Sequence, residues 1–403
     1  MTSWVPWPSE RSGSSMDRSR RSRGRRADSS RRLSSPRGAR PRASHPWSAP
    51  DAGRVDGAPP DRRTQGASQW GAPSFSASLR DRRQMVLCTG SIAYDYILTF
   101  KGRFKDHILL DKTHILNLSF LVDDLQKRKG GVAGNYAYNL ALLGYPAAVV
   151  ATAGSDATEY RDWLVAHGVD CRGLRLLEGE ISATGFTTTD MDDNQLTGYY
   201  GGAMWKAAML GLDDGPPNAD AVIVGPNDPA AMKRLVRECR DRKVPFVFDP
   251  AHQLPMMDGA DVTDGTDGAW IVIGNDYELE LIQERTKRDM NRLLELAQVV
   301  VTTLGRHGSR ITTRETSVEI PAAPARREID PTGAGDAYRA GLVAGLLRGL
   351  DLDHAGRVAS LAATYAVEHV GTIEHHYTQA DFYARYKDSF GSDLPELFWA
   401  GSR

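Results

Sequence analysis

Cysteine is almost absent from this chain, and the little there is excludes two architectures. Cys88, Cys171 and Cys239 are odd in number, far apart and without CxxC spacing. They supply neither a disulfide framework nor a zinc site, and a reducing cytoplasm suits them. Long apolar runs are lacking too. Nothing approaches the roughly 18 consecutive apolar residues of a membrane-spanning helix, and the N-terminus has no apolar signal core, so the chain reads as soluble with no membrane contact. Lysine is missing from residues 1–84, where 18 arginines face 7 acidic residues. That segment holds a surplus of 11 positive charges, while the remainder carries 32 basic against 44 acidic residues. The formal net charge of -1 is therefore a cancellation between two unlike parts. An acidic body offers nucleic acid no general attraction, which leaves only weak contact through the basic tail.

Periodicity is absent from the same segment. Residues 1–84 are rich in Ser, Arg, Pro and Gly, and stretches such as RSRRSRGRRADSSRRL follow neither a strand nor a helix repeat. Too little apolar surface is available to offset backbone entropy, so a disordered tail is expected over 1–84. An extension upstream of a start at Met85, a targeting peptide and a basic arm for an acidic partner all fit it. At Met85 the pattern changes. MVLCTGSIAYDYILTF reads as strand, small-residue turn and strand; AAVVATAG, DAVIVGPN, VPFVFDP, AWIVIGN and QVVVTTLG are further short apolar runs. Between them lie amphipathic helices, such as the one with Met232, Leu235, Val236 and Cys239 on one face. Continuous apolar strands alternating with such helices predict a doubly wound, mostly parallel α/β sheet sandwiched by helices over 85–390, with a short C-terminal tail at 391–403. Residues 92–122 and 181–200, rich in Thr, Tyr and Phe, suggest a small separate β-sheet acting as a lid.

The stretch Asp330-Pro331-Thr332-Gly333-Ala334-Gly335-Asp336 carries the most chemistry. Its small residues turn the chain closely into a helix whose first N–H groups have no internal partner, which makes an anion site. Asp336 lies just inside that site, where a carboxylate can take the proton of an attacking hydroxyl while the N–H groups stabilise charge on phosphate oxygens. Read alone, the same residues also describe a turn and a helix cap. His375 and His376 have no third ligand at useful spacing, so no metal site is expected there.

Over its whole length, DPTGAGDAYRAG matches the second signature of the ribokinase-like (PfkB) carbohydrate kinases, and the chain resembles that family. Gly130-Gly131-Val132-Ala133-Gly134-Asn135 resembles the first signature, whose glycines and Asn meet substrate hydroxyls. Asn275-Asp276-Tyr277-Glu278 is similar to the NxxE element that organises Mg²⁺ and ATP phosphates through water. Thr303-Leu304-Gly305-Arg306-His307-Gly308 resembles the nucleotide-binding turn, which implies Thr303, Gly305 and Gly308, with Asn275, as nucleotide contacts. The resemblance implies Asp336 as catalytic base, with Gly333, Ala334 and Gly335 as the anion site. It further implies ATP as phosphoryl donor, Mg²⁺ with it, and room for a monovalent cation.

Segments such as GSIAYDYILTFKGRF, LSFLVDDL, YRDWL, PNDPAAM and GNDYE are similar to the bacterial adenosine kinases of the mycobacterial type. That likeness implies transfer to the 5′-hydroxyl of adenosine and a homodimer formed through the lid. Asp95, Gly131 and Asn135 would hold the ribose hydroxyls, Ser91 and Ser119 would line the pocket, and Phe186 and Tyr199 would stack on the purine. The chain departs from the pattern at His252-Gln253, where a Gln-Gln pair is expected, and at Gly201, where a Pro is expected; both bear on base preference. Ribose, guanosine or inosine are alternative acceptors for the same chemistry. A non-catalytic nucleotide-binding regulator with a basic nucleic-acid-binding tail is the alternative of another class.

Overall fold

In the computed structural model, which describes residues 85–107, 119–192 and 194–398, the apolar runs become strands. The segment 1–84, with its expected disorder, lies outside the described residues. Along the chain the strands are β1 (Val86–Thr89), β2 (Ala93–Thr99), β3 (Asp124–Gly130), β4 (Ala147–Gly154), β5 (Asp170–Leu177), β6 (Ala183–Thr189) and β7 (Gln195–Tyr200). They continue as β8 (Ala221–Val224), β9 (Phe246–Phe248), β10 (Ile271–Asn275), β11 (Val299–Thr303), β12 (Ser309–Thr312) and β13 (Ser317–Ile320). The helices are α1 (Val132–Leu142), α2 (Thr158–Ala166), α3 (Pro229–Arg242), α4 (Gly259–Thr266), α5 (Asp276–Thr286), α6 (Met290–Leu296), α7 (Ala334–Leu347), α8 (Leu352–Val367) and α9 (Gln379–Phe390).

The main sheet has nine strands in the order β13-β12-β11-β10-β9-β8-β1-β4-β5. Strands β5 to β11 of that order pair in parallel, and β12 and β13 finish one edge as an antiparallel hairpin. Alternate residues feed two layers. Val86, Cys88, Val149, Ile223 and Val301 enter one core with Tyr136 of α1 and Val343 of α7. Leu87, Val150, Val222, Val272 and Val300 enter the other with Met232 of α3 and Leu279 of α5. A strand buried on both faces reads as an unbroken apolar run, which is the pattern the sequence showed. The chain winds outward in both directions from β1, which lies between β4 and β8. At such a switch point a crevice opens at the carboxyl ends of the strands, where open α/β sheets place ligands.

The lid is a four-stranded sheet in the order β3-β2-β6-β7. One boundary needs correction: β3 lies at Asp124–Gly130, beyond the expected 92–122. Its sequence DLQKRKG is charged along most of its length and hides the alternation that marks a strand. Residues 108–118 of the expected lid lie outside the described residues. Pairing aligns Arg128, Asp95, Gly185 and Tyr199 in one row, with Lys127, Tyr96, Phe186 and Gly198 in the next. Successive residues of a strand point to opposite faces, so the two rows do too.

The expected tail from 391 is also corrected. Leu394 and Phe398 are fully buried in the layer that holds α8 and α9, and the Arg348 guanidinium stands 4.6 Å from the Phe398 ring centre. Leu394, Leu397, Phe398 and Trp399 fall within six residues around Pro395, a cluster too short to show a full strand or helix repeat, so the sequence pattern does not reveal that the fold continues here. Among the described residues no helix is long and apolar enough to cross a membrane. Phe398→Ala should therefore destabilise the protein by about 3–5 kcal/mol, seen as a lower urea midpoint at unchanged slope; a midpoint equal to that of the parent would restore the earlier boundary.

Candidate active site

The site grows from the N-terminus of α7. Its cap, Gly333, takes φ 81°, a left-handed conformation that favours glycine. A side chain there would also strike the backbone of Thr372, whose Cα is 2.8 Å from the ideal Cβ position. Asp330 braces the turn by accepting hydrogen bonds from the N–H of Thr332 and of Gly371, both at 2.9 Å. The N–H groups of Gly335 and Asp336 find no backbone acceptor among the described residues. They point the positive end of the helix dipole at the crevice.

Asp336, in the first turn, accepts a 2.7 Å hydrogen bond on Oδ2 from Nδ2 of Asn135. Asn135 is positioned by α1, whose cap Gly131 has φ 87° and leaves no room for a Cβ beside the Ser91 carbonyl, 2.6 Å away. The Oγ1 of Thr372 donates to Asn135 Oδ1 at 2.9 Å, fixing which end of the amide faces Asp336. One turn along α7, Arg339 is buried and paired with Asp249, the residue that follows β9. Tyr136 of α1 donates its hydroxyl to the same carboxylate, and Glu278 of α5 lies 4.0 Å from the guanidinium. Burial opposes the charge on Arg339, but Asp249 more than offsets it, so its proton is held more firmly than usual. Burial pushes the Asp336 carboxyl up to about 7, with Arg339 and the Asn135 bond holding it down. Glu278 is also raised, first by burial and then by Asp249.

On one side of Asp336 stands the lid. Asp95 of β2 lies between the backbones of β3 and β6; a Cβ at Gly185 would come within 2.7 Å of its Oδ1. Burial, followed by the charge of Asp330, pushes the Asp95 carboxyl up to about 6. Tyr199 shares its row and face, and the phenol interacts with Ser91 and Asp95. His252 meets the Tyr199 ring edge-on at 6.2 Å between centres, and Gln253 beside it is buried. On the other side is a cavity of about 810 Å³. Thr303, Gly305 and Gly308 line it at the end of β11, with Ala334 and Gly335 of α7 at its inner end.

The structure thus links Asn135 to Asp336 directly, Ser91 to the start of α1 beside Gly131 and Tyr199 to His252, and sets Thr303, Gly305 and Gly308 along one cavity with Gly335 of α7. One expected residue falls elsewhere. Phe186 is corrected: it stacks on Tyr96 at 5.2 Å, on the opposite face from Asp95 and Tyr199. A single-residue offset between paired strands decides this, and motif reading does not supply the register. Ser119 is exposed ahead of β3. Asn275 and Glu278 bond each other as the capping box of α5. Sequence reading missed Arg339 and Tyr136, although a lone arginine in the apolar run AYRAGLVAGLL signals a buried charge. Thr372 left no such signal.

The model of the pfkB family carbohydrate kinases matches residues 83–379. A nucleoside kinase of Methanothermobacter thermautotrophicus is 32% identical over 318 residues, which cover 77% of this chain and 98% of that one. The Burkholderia thailandensis nucleoside kinase, solved in complex with inosine, is 38% identical with a TM-score of 0.70, covering 77% of this chain and 99% of its own. The nucleoside kinase of Methanocaldococcus jannaschii, an archaeal member of the ribokinase family, is 26% identical with a TM-score of 0.67, covering 76% and 98%. With the DPTGAGD turn opening α7 and the ribokinase-like sheet behind it, this chain belongs to the pfkB family of carbohydrate kinases.

Proposed function

We propose that the protein transfers the γ-phosphoryl group of ATP to the 5′-hydroxyl of a purine nucleoside, adenosine among them, giving the nucleoside 5′-monophosphate and ADP. One observation carries this reading: α7 opens beside a cavity of nucleotide size, lined by Ala334 and Gly335, with the N–H groups of Gly335 and Asp336 free of backbone acceptors and the Asp336 carboxylate held by Asn135 of α1. The acceptor oxygen attacks the γ-phosphorus and the bond to the β–γ bridging oxygen breaks. Asp336 takes the hydroxyl proton as the new bond forms. Asn135 occupies one of its oxygens, which orients the other toward the acceptor. The N–H groups of Gly335 and Asp336 stabilise charge on the phosphoryl oxygens.

Asp95 is the partner for the ribose diol, supported by Gly131 and Asn135 near the same strand ends. Tyr199 and His252 form an aromatic corner for the base. Desolvation lowers the affinity of His252 for a proton, so the ring is neutral at pH 7 with one donor and one acceptor. Exchange of tautomer lets it face the amino group of adenine or the carbonyl of hypoxanthine, and the inosine bound to the Burkholderia relative favours inosine as a second acceptor.

For Mg²⁺ the residues fit an outer role. Among the described residues no group of three or more His, Cys, Asp or Glu could hold a metal ion, and Mg²⁺ usually keeps water and substrate phosphates as ligands. Asn275 and Glu278 would meet its water shell, and the ion would supply charge neutralisation on the phosphates. The outer lid face exposes Leu125, Phe186 and Leu196, apolar area that a second copy would cover, and pairing through the lid belongs to the same proposal.

Two expectations test this reading. Asp336→Asn should keep the fold and lower kcat by about 10²- to 10⁴-fold. In the parent, kcat should rise with pH through about 7, where Asp336 becomes the carboxylate that accepts a proton. A variant within a fewfold of the parent, or a rate indifferent to pH between 6 and 8, would remove Asp336 from the mechanism. Asp95→Ala should raise KM for adenosine far more than KM for ATP, and 2′-deoxyadenosine should be a poor acceptor for the parent. Equal use of adenosine and deoxyadenosine would show that Asp95 does not read the diol.

A further inference from the structure

Charge is unbalanced along the crevice. Asp95, Asp249, Glu278, Asp330 and Asp336 lie around it, and the Arg339 guanidinium is committed to Asp249. A group that transfers phosphate needs a further cation. Strand pairing and the alternation of side chains put Arg128 of β3 on the same lid face as Asp95, directly opposite it across β2. Among the residues of β2, β3, β6 and β7 on that face, Arg128 is the only basic one.

Contacts lead from Arg128 to the start of α7. Its Cδ and Cγ lie 3.7 and 3.9 Å from the ideal Cβ position of Gly371. The N–H of Gly371 is bonded to Asp330, the first residue of the DPTGAGD turn. The next residue, Thr372, abuts Gly333, the cap of α7, and its hydroxyl donates to the carbonyl of Lys129 at 3.1 Å. The end of β3 and the cap of α7 are thus both packed on residues 371 and 372.

The present partners of Arg128 hold it loosely. Nη1 is 3.5 Å from Glu374 Oε1, with the two side chains 29% and 41% exposed, a pair that water screens. Nη2 donates at 2.7 Å to Oε1 of Gln126, a neutral group on the same strand. Nε is buried with no acceptor among the described residues. Most N–H groups of this guanidinium are therefore unused, and its planar fork matches the oxygens of a phosphoryl group.

From these contacts we infer that Arg128 is a further catalytic residue, which exchanges Glu374 for the transferring phosphoryl group when both substrates are bound. The inference rests on reading the start of α7 as the site of transfer. As the acceptor oxygen bonds to the γ-phosphorus and the bond to the β–γ bridging oxygen breaks, the non-bridging oxygens need a positive partner. A guanidinium supplies it without gaining or losing a proton.

The test compares the two ends of the ion pair in the full chain, with Mg²⁺, ATP and adenosine. Arg128→Gln should lower kcat by about 10²- to 10³-fold, the worth of one well-placed donor to charge in the transition state, with KM for ATP within about fivefold of the parent. Arg128→Lys keeps the stem against Gly371 and the charge but not the fork; it should lose about tenfold in kcat at an unchanged urea midpoint. Glu374→Gln breaks the same pair from its other end and should keep kcat within about threefold of the parent. Equal losses in Arg128→Gln and Glu374→Gln would make the pair structural and overturn the inference. An Arg128→Gln enzyme within about threefold of the parent would overturn it too. Either result leaves the kinase reading standing, whereas failure of the parent to phosphorylate any nucleoside would overturn both.

Discussion

The buried ion pair between Arg339 and Asp249 is the constraint on which the site depends. It joins the first half of α7 to the end of β9, and through the Tyr136 hydroxyl it also holds α1. Taking two charges out of water costs several kcal/mol per ion, and their attraction returns that only if the geometry is good and the remaining donors are met. The pair is therefore better understood as fixing position than as adding stability. With Arg339 locked, Asp336 one turn earlier has a single place to be, and its carboxylate meets the Asn135 amide. The same guanidinium packs against Gly335, where a Cβ would come within 2.7 Å of Nη1. The signature glycine is thus needed for packing beneath the anion site as well as for the turn.

Charge balance in the crevice follows from that lock. Asp95, Asp249, Glu278, Asp330 and Asp336 are five acids around the crevice, with the buried Arg339 guanidinium among them. Burial is the first cause that raises the proton affinity of Asp95, Glu278 and Asp336; Asp330 adds to it for Asp95, and Asp249 for Glu278 and Asp336. A base poised near neutrality suits proton removal at physiological pH. The N–H groups that open α7 add the positive end of a helix dipole beside these acids.

Small residues place α7 itself. Gly341 lies against Ala359, whose Cα is 2.7 Å from the ideal Cβ position, and Gly345 meets Ala355 at 3.0 Å. Close approach of α7 and α8 at these points sets the width of the cavity between α8 and the 322–325 segment. Ser360 and Thr364 then stitch that segment to the helix. The residues that line this cavity are thus also those that pack the layer, and the hydroxyls of Ser360 and Thr364 are engaged in doing so.

Much of this was legible in the chain. The unbroken apolar runs specified a parallel sheet because strands covered on both faces have no polar side to show, and the DPTGAGDAYRAG stretch placed Asp336 in the first turn of a helix because its small residues turn the chain closely into N–H groups without internal partners. What sequence did not disclose was contact between distant segments. β3 escaped because its charges mask its alternation, and Phe398 because its apolar cluster is too short to show a period. Phe186 was assigned to the wrong face because register is set by strand pairing. Thr372 escaped because only folding brings it to Asn135. By itself the sequence determined the layers and the chemistry of the helix start, which arise from local periodicity and backbone geometry. Only the tertiary structure decided which side chains meet there and how firmly Asp336 holds its proton, since both depend on burial and on charges brought together from far along the chain.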